Sequence, residues 1–340
     1  MKPEVSIILP TYNSQAYIAQ AIESVLQQTF KNWEIVLVDD ASTDSTLKIA
    51  RSFHDSRIKI LSNNYNRGVS HSRNRGIAIA QGDWIALLDS DDWYAPERLA
   101  KLLSTAKQTN ADLIADDLYL IGDRDSQPWS TLRQENQESN PMPRLIDAIA
   151  FVTSDRPNSI NAKRNWSLGY TKPLIKKEFL LQHQIQYDER VNVGEDFILY
   201  LECLSRKARF VQIPQAYYYY RTREVSLSTR KPTEYLADSC AITEIFIRKE
   251  IKLNGNSQLL KVLFENLIIY QKRLAYYSVV EAIKDKQILE AVRRIMDNPY
   301  TVATLLSKMS KVMQTKLMSI VESSKSDSLE FTVASIKNTH

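Results

Sequence analysis

The sequence predicts an α/β protein built on a mostly parallel central sheet and continued by a helical C-terminal extension, on three observations. Short apolar runs alternate with helical patterns over residues 5–120, acidic clusters stand directly behind two of those runs, and the composition turns helical from about residue 233. Parallel strands need crossover helices, so this alternation announces a doubly wound sheet.

The first run, "VSIILP" (5–10), is a strand, and behind it Ile18, Ala21, Ile22, Val25 and Leu26 recur at helical spacing with Ser14 as the N-cap candidate. "WEIVLVDD" (33–40) and "IKILS" (58–62) are the next strands, followed by "WIALLD" (84–89). After it "PERLAKLLSTA" places Pro96 in a first helical turn, with Leu99, Leu102 and Leu103 on one face. "DLIADDLYLI" (112–121) is the fifth strand, and residues 122–142, polar with two prolines, read as a surface excursion. A mixed segment runs from about 144 to 230, in which Tyr217 to Tyr220 suggest an alternating strand. From about 233 only Gly255 and Pro299 interrupt a helical pattern, with "SSKSDS" (323–328) a flexible stretch near the end. The domain boundary falls between residues 232 and 233.

Composition narrows the class. Hydrophobic residues make up 44% of 340, no run approaches 18 apolar residues, and the opening "MKPEVSIILPTYNS" is broken too soon for a signal peptide, so a cytoplasmic globule is expected. Cys203 and Cys240 lie in apolar surroundings and read as reduced thiols, and the "NWS" at Asn165 is expected to be idle in a cytosolic protein. The net charge of +4 is uneven: residues 241–340 carry 15 Lys and Arg against 10 Asp and Glu, and residues 1–240 carry 29 against 30. The basic excess belongs to the tail.

In an open parallel sheet, ligands sit at the carboxyl ends of the strands. Three ends here read "PTYNS", "VDDASTDS" and "LDSDDWY", which would gather Tyr12, Asp39, Asp40, Asp89, Asp91 and Asp92 in one crevice. Taken singly, "DSDD" is a solvated turn and "VDDASTDS" a strand end with a Ser/Thr cap. Together, so many like charges call for a divalent cation or for hydrogen-bond donors from a ligand. Asp89-x-Asp91 can hold Mg²⁺ or Mn²⁺ through oxygen, and such an ion bridges phosphates, so the cluster points to a nucleotide diphosphate site. Asp40 can accept from the imide N–H of a uracil, and Arg73 and Arg75 of "HSRNRG" (71–76) offer positive charge for phosphates.

In this order and spacing, "VSIILPTYNSQAYIAQAIESVLQQTFKNWEIVLVDDASTDST", "SRNRG" and "GDWIALLDSDDWYAPERL" resemble the family 2 glycosyltransferases of the GT-A fold, a Rossmann-like architecture, over about residues 3–105. "WSLGYTKPLIKKEFL" (166–180), "NVGEDFILYLECL" (192–204) and "YYYYRTREVSLS" (217–228) are similar to acceptor-side motifs of bacterial cell-surface polysaccharide enzymes, the succinoglycan-type exopolysaccharide transferases closest among them. The final hundred residues resemble no named family.

The resemblance implies a catalytic domain over 1–232, a helical extension over 233–340, and inverting transfer from a nucleotide diphosphate sugar, commonly UDP-linked. Pro10, Tyr12 and Asp40 fall where family members grip the nucleoside, with Asp39 beside them, and Arg73 matches a basic position near the donor. Asp89 and Asp91 fall on the DxD pattern that holds the sugar nucleotide and its Mn²⁺ or Mg²⁺, and Asp92 is the alternative metal ligand. "GED" supplies the general base, Asp196 first and Glu195 second, and Arg221 contacts the diphosphate from a closing loop. Inversion is a single displacement in which a carboxylate takes the acceptor hydroxyl's proton as the new bond forms. The acceptor would be a glycan or a polyprenyl-linked sugar, which gives the basic tail an anionic leaflet at the inner face of the cell membrane as one destination, beside packing on the catalytic domain or pairing with another subunit. Nucleic acid is excluded for want of dense charge and aromatic platforms. A phosphoryl transferase would show a glycine-rich loop, absent here, and a non-catalytic sugar-nucleotide-binding or scaffold subunit would have lost the acids, which are all present.

Overall fold

A computed structural model describes residues 2–132, 142–156, 167–191, 193–223, 231–252 and 255–297. The chain opens with β1 (Val5–Thr11), α1 (Ile18–Leu26), β2 (Trp33–Asp39), α2 (Thr46–Arg51), β3 (Ile58–Ser62), α3 (Val69–Ile79) and β4 (Trp84–Leu87). There follow β5 (Trp93–Tyr94), α4 (Arg98–Thr109), β6 (Leu113–Gly122), β7 (Ser130–Thr131), β8 (Arg144–Ile146) and α5 (Ala148–Ser154). A 3₁₀ turn at Leu168–Tyr170 leads to β9 (Leu174–Lys176), α6 (Lys177–Gln182), α7 (Glu195–Ser205) and β10 (Phe210–Thr222). Helices α8 (Pro232–Lys252), α9 (Ser257–Lys284) and α10 (Ile288–Asp297) end the described chain.

The sheet runs β3-β2-β1-β4-β9-β6-β10-β5, with β7 beside β6 and β8 beside β10. β3, β2, β1 and β4 are parallel neighbours, as are β6 and β10, whereas β9 lies antiparallel between β4 and β6. The expected fifth strand therefore does not sit beside the fourth: three residues of β9 intervene, too few to show a period in the sequence. β1 and β2 are buried along their whole length, which helices on both faces require. Pro10 fits inside β1 because its missing N–H would face the β4 side, where pairing ends at Ile8 with Leu87.

Two helix starts differ from expectation. α1 begins at Ile18, its first amides bonding to the Ser14 carbonyl at 2.9 Å, while the Ser14 hydroxyl lies 2.7 Å from that of Ser90. α4 begins at Arg98, two residues beyond Pro96. The polar excursion holds a short strand, β7, on β6, and of the four tyrosines only Tyr218 is fully buried because β10 slips register near Ala216. Asn165 and the stretch 323–328 lie outside the described residues. Gly76 lets α3 lie directly on β1: a Cβ there would sit 2.7 Å from Ile8 Cγ2. That contact sets the height of Arg73, one turn earlier.

The chain divides into two compact units, one of Met1–Arg230 with Ala241–Asn266 and one of Lys231–Cys240 with Leu267–His340. In the first, Asn266 donates to the Val152 carbonyl at 2.8 Å and Arg156 pairs with Glu265. In the second, Leu236, Cys240 and Tyr270 form one apolar cluster, and Val279, Ala282 and Ala291 another. Both cysteines are buried and outside any disulfide. Among the described residues no helix is long and apolar enough to cross a membrane.

Candidate active site

Because β1, β2 and β4 are adjacent and parallel, their carboxyl ends share one edge of the sheet. At the end of β2, Asp40 accepts from Asn63 Nδ2 at 2.6 Å and from the amides of Arg67 and Gly68 at 3.0 and 2.8 Å, so its carboxylate closes the loop before α3. Asp39 is different. Among the described residues its Oδ2 takes only a long bond from the Ser42 amide and its Oδ1 is buried without a partner, as is the hydroxyl of Thr11 paired with it in register. Buried polar atoms are nearly always satisfied, so two neighbouring orphans at a strand end mark a place where a ligand or water belongs. Pro10 is buried in β1, and Tyr12 follows it with its ring exposed.

Asn63 also reaches Ser72 on α3, and the next residue of that helix, Arg73, ties this end to the acids. Its guanidinium is 2% exposed and spans three carboxylates: Nη2 donates to Asp89 Oδ1 at 2.8 Å, and Nη1 to Asp196 Oδ1 at 3.0 Å and Glu195 Oε1 at 2.8 Å. Lys172 stands opposite, its ammonium 2.8 Å from Asp89 Oδ2 and 2.6 Å from Asp196 Oδ2. Tyr187 adds a hydroxyl donor to Asp196 Oδ1 at 2.9 Å. Burial works to raise the Asp89 carboxyl's pKa, but the charges of Lys172 and Arg73 overcome it and hold the group well below the usual carboxylate range. Burial would likewise lower the Lys172 ammonium, yet Asp196 and Asp89 raise it. Burial, then the neighbouring Asp196, push Glu195 up.

The base-bearing helix is placed by its own start. Gly194 has φ +83°, a conformation that favours glycine, and it turns the chain so that Glu195 and Asp196 form the first turn of α7, where acids suit the helix dipole.

Beyond β4, Asp92 is buried and saturated, with Oδ2 taking the Tyr218 hydroxyl at 2.7 Å and Oδ1 the Arg221 amide at 2.8 Å; burial, then Asp91 and Asp89, hold its carboxyl well above the ordinary value. Arg221 braces this turn from beneath, donating to the Asp91 carbonyl at 2.9 Å and to Gln20 at 2.7 Å with its guanidinium 4.8 Å over Trp93. The side chain that meets the Asp91 carboxylate is Arg223. Burial raises Asp91 despite that partner, with Asp89 adding to the shift.

The donor set is hard carboxylate oxygen, which suits Mg²⁺ or Mn²⁺. Both oxygens of Asp89 and of Asp92 are committed, which leaves Asp91 with the freer carboxylate. Among the described residues no three His, Cys, Asp or Glu side chains are grouped to hold an ion alone.

The edge thus gathers Arg73, Asp89, Glu195 and Asp196 in one hydrogen-bonded cluster, with Asp91 and Asp92 on the adjoining turn that Arg221 of β10 braces and Pro10, Tyr12, Asp39 and Asp40 at the neighbouring strand ends. Sequence reasoning missed Lys172, Tyr187 and Arg223. Lys172 lies in "YTKPLI", where its position before a proline was the available signal, since that residue is held extended.

A family model described as glycosyl transferase family 2 matches residues 6–187. Succinoglycan biosynthesis protein ExoO of Rhizobium meliloti (strain 1021) is 31% identical over 304 residues, 89% of this chain and 84% of that protein. Among solved structures, S. aureus TarS 1-349 in complex with UDP-GlcNAc superposes with a TM-score of 0.57 at 19% identity, over 89% of this chain and 92% of that one. The mannosyltransferase PcManGT from Pyrobaculum calidifontis, in complex with GDP-Man and Mn²⁺, gives 0.52 at 15% identity, over 90% and 84%. At those identities the likeness is one of fold.

Proposed function

Since the chain belongs to glycosyl transferase family 2, we propose that it transfers a sugar from a nucleotide diphosphate sugar, a UDP-sugar first, to a hydroxyl of a glycan or lipid-linked oligosaccharide, with inversion, in cell-surface polysaccharide assembly. It is a glycosyltransferase of the GT-A fold. The observation that carries the finer reading is Arg73, which holds the donor-side acid Asp89 and the acceptor-side acids Glu195 and Asp196 within one hydrogen-bond shell.

Each part of the edge has a task in this reading. Thr11 and Asp39, with their unpartnered oxygens, take the nucleoside beside Pro10, Tyr12 and the loop that Asp40 closes. UDP-GlcNAc in TarS supports a nucleotide sugar here, and GDP-Man with Mn²⁺ in PcManGT supports a cation. Asp91 would hold that ion, with Asp92 and Asp89 behind it; when bound, Mn²⁺ or Mg²⁺ supplies positive charge against the departing diphosphate. Arg73 orients Asp89 and the proton acceptor together, and Arg221 fixes the acidic turn. The base comes from the Glu195–Asp196 pair. Asp196 has both oxygens engaged by cations, whereas Glu195 keeps one oxygen that neither cation engages and a pKa raised by burial and by Asp196, so the geometry favours Glu195 as proton acceptor and Asp196 as its support.

Residues 1–232 form the catalytic domain in this reading, with part of the 233–340 extension, residues 241–266, packed in its unit. In the second unit Ile288, Leu289, Val292 and Met296 of α10 are exposed beside Arg293, a face suited to an anionic leaflet that carries a lipid-linked acceptor.

Nucleotide release from UDP-glucose, UDP-GlcNAc and GDP-mannose, with Mn²⁺, Mg²⁺ or EDTA and a panel of glycan and polyprenyl-diphosphate-sugar acceptors, tests the proposal. Metal-dependent release of UDP and a product of inverted anomeric configuration by NMR are expected. Preference for GDP-mannose, a retained configuration, or full activity in EDTA would each remove the corresponding part.

A further inference from the structure

We propose that Lys172 is a positioning residue of the transfer reaction, closing a ring of alternating charge that fixes the spacing between the donor-side Asp89 and the acceptor-side Asp196. The inference rests on the glycosyltransferase reading of this site and adds a residue to it.

The ring is closed atom by atom. Arg73 holds Oδ1 of both Asp89 and Asp196, at 2.8 and 3.0 Å, and Lys172 holds Oδ2 of both, at 2.8 and 2.6 Å. Four separate stretches meet there: α3, the end of β4, the segment before β9, and the first turn of α7. Without Lys172, one oxygen of each carboxylate would lose its charge partner in a buried site, and the two anions would repel. They would then move apart, carrying the neighbouring Glu195 with Asp196. A displacement near 1 Å at reacting groups lowers turnover by about 10²-fold.

Lys172 is itself held in place. Its carbonyl accepts from Arg98 Nη2 at 2.5 Å, and Arg98, fully buried, is paired with Asp116 through Nε at 3.0 Å and Nη2 at 2.8 Å. The Tyr94 and Tyr218 rings lie 4.4 and 5.0 Å from the Arg98 guanidinium. Thr171 closes the preceding turn through its hydroxyl, 2.6 Å from the Leu168 carbonyl, and Pro173 keeps Lys172 extended. A lysine serving only as a surface counterion would not need a buried ion pair behind its backbone.

The test compares wild type, Lys172→Met and Lys172→Arg with Mn²⁺ and UDP-glucose, UDP-GlcNAc or GDP-mannose, reading kcat and donor KM from nucleotide release. Lys172→Met is expected to lose about 10²-fold in kcat with a smaller rise in donor KM, because Asp89 shifts as well, and Lys172→Arg, which can still bridge two carboxylates, to recover at least about tenfold of the kcat loss. Unchanged kcat, a loss confined to KM, or an arginine variant as slow as the methionine one overturns the proposal. A wild type that releases nucleotide from none of the three donors counts against the donor reading of the previous subsection instead. The ring is then judged by thermal melts of Lys172→Met, Asp196→Asn and the double variant: fully additive losses overturn it, and a double variant melting no lower than the worse single one supports it.

Discussion

Replacing Glu195 by glutamine and Asp196 by asparagine separates the two carboxylates by what each change removes. Glu195 makes one charge-assisted bond, 2.8 Å from Arg73 Nη1, and a glutamine keeps an acceptor there. Glu195→Gln should therefore cost about 1 kcal/mol, the gap between a charged and a neutral hydrogen bond. Asp196 takes three donors on two oxygens, and an amide nitrogen would face either Lys172 at 2.6 Å or Arg73 and Tyr187 at 3.0 and 2.9 Å. Donor against donor in a buried ring is a broken ion pair, about 3–5 kcal/mol. At about 2–4 °C per kcal/mol for a unit of this size, Asp196→Asn should melt roughly 6–20 °C below wild type and Glu195→Gln within about 4 °C of it. Turnover divides differently. Glu195→Gln should lose about 10²–10⁴ in kcat with donor KM unchanged, as removal of a proton acceptor does. Asp196→Asn should lower kcat and raise donor KM together, because Asp89 and Arg73 lose their fixed places. Nucleotide-release kinetics and circular-dichroism melts on the same preparations read all four quantities. A Glu195→Gln enzyme near wild-type turnover, beside an Asp196→Asn enzyme that keeps its fold and donor KM but not its rate, would refute this assignment and give the proton to Asp196.

Thr11→Val removes a buried hydroxyl that has no partner among the described residues, so melts should hold or rise while UDP affinity by calorimetry falls about five- to tenfold; unchanged affinity takes Thr11 out of the nucleoside site. Arg223→Ala frees the Asp91 carboxylate, and Mn²⁺ binding followed by electron paramagnetic resonance without nucleotide should tighten about fivefold, the release of about 1 kcal/mol of competition; weaker binding would show that Arg223 does not compete. Burial, then Asp196, raise the Glu195 carboxyl, so kcat/KM should fall with falling pH through a midpoint above the ordinary value of about 4.3, and a limb at or below that value excludes Glu195. The same shift means that the folded state holds this proton more tightly than the unfolded chain does, so the group's contribution to stability declines as pH rises from the ordinary value through the raised one. Leu289→Glu with Met296→Glu places acid on the exposed face of α10 and should abolish flotation with anionic liposomes; retained flotation removes that face as the contact.

How far the sequence could be read follows from the range of the interactions involved. β1, β2 and the apolar face of α4 were legible because their signal is local, a buried run or a helical stripe completed within about ten residues. The acids were legible for the same reason, since a strand end and a charge cluster adjoin in the chain. Their partners were not. Asp89 and Lys172 are 83 positions apart, Asp91 and Arg223 are 132, and nothing periodic joins them. "GYTKPLI" holds Lys172 through a carbonyl bonded to Arg98, and nothing local in the sequence marks Arg98 as the partner of Asp116, 18 positions further on. Asp39 and Asp40 show the same limit at shorter range, because adjacent aspartates differ only in which amides the loop before α3 offers them.

Three like charges behind a buried strand are tolerable because each has been given a different answer. Asp89 is neutralised by two cations in the ring, Asp92 is held by a tyrosine hydroxyl and an amide with its carboxyl pushed well above the ordinary value, and Asp91 faces Arg223. Only the last can change partner without breaking a buried network, since Arg223 is 30% exposed where Arg73 and Lys172 are 2% and 6%. An arriving diphosphate brings its own negative charge to this edge, and the side chain free to yield is the one beside Asp91. A cation and a nucleotide should consequently bind together, each offsetting the charge of the other, so that Mn²⁺ raises UDP affinity and UDP raises Mn²⁺ affinity by the same factor. Calorimetric titrations run in both orders measure that factor, and a value of one would mean that Asp91 and the diphosphate never share an ion.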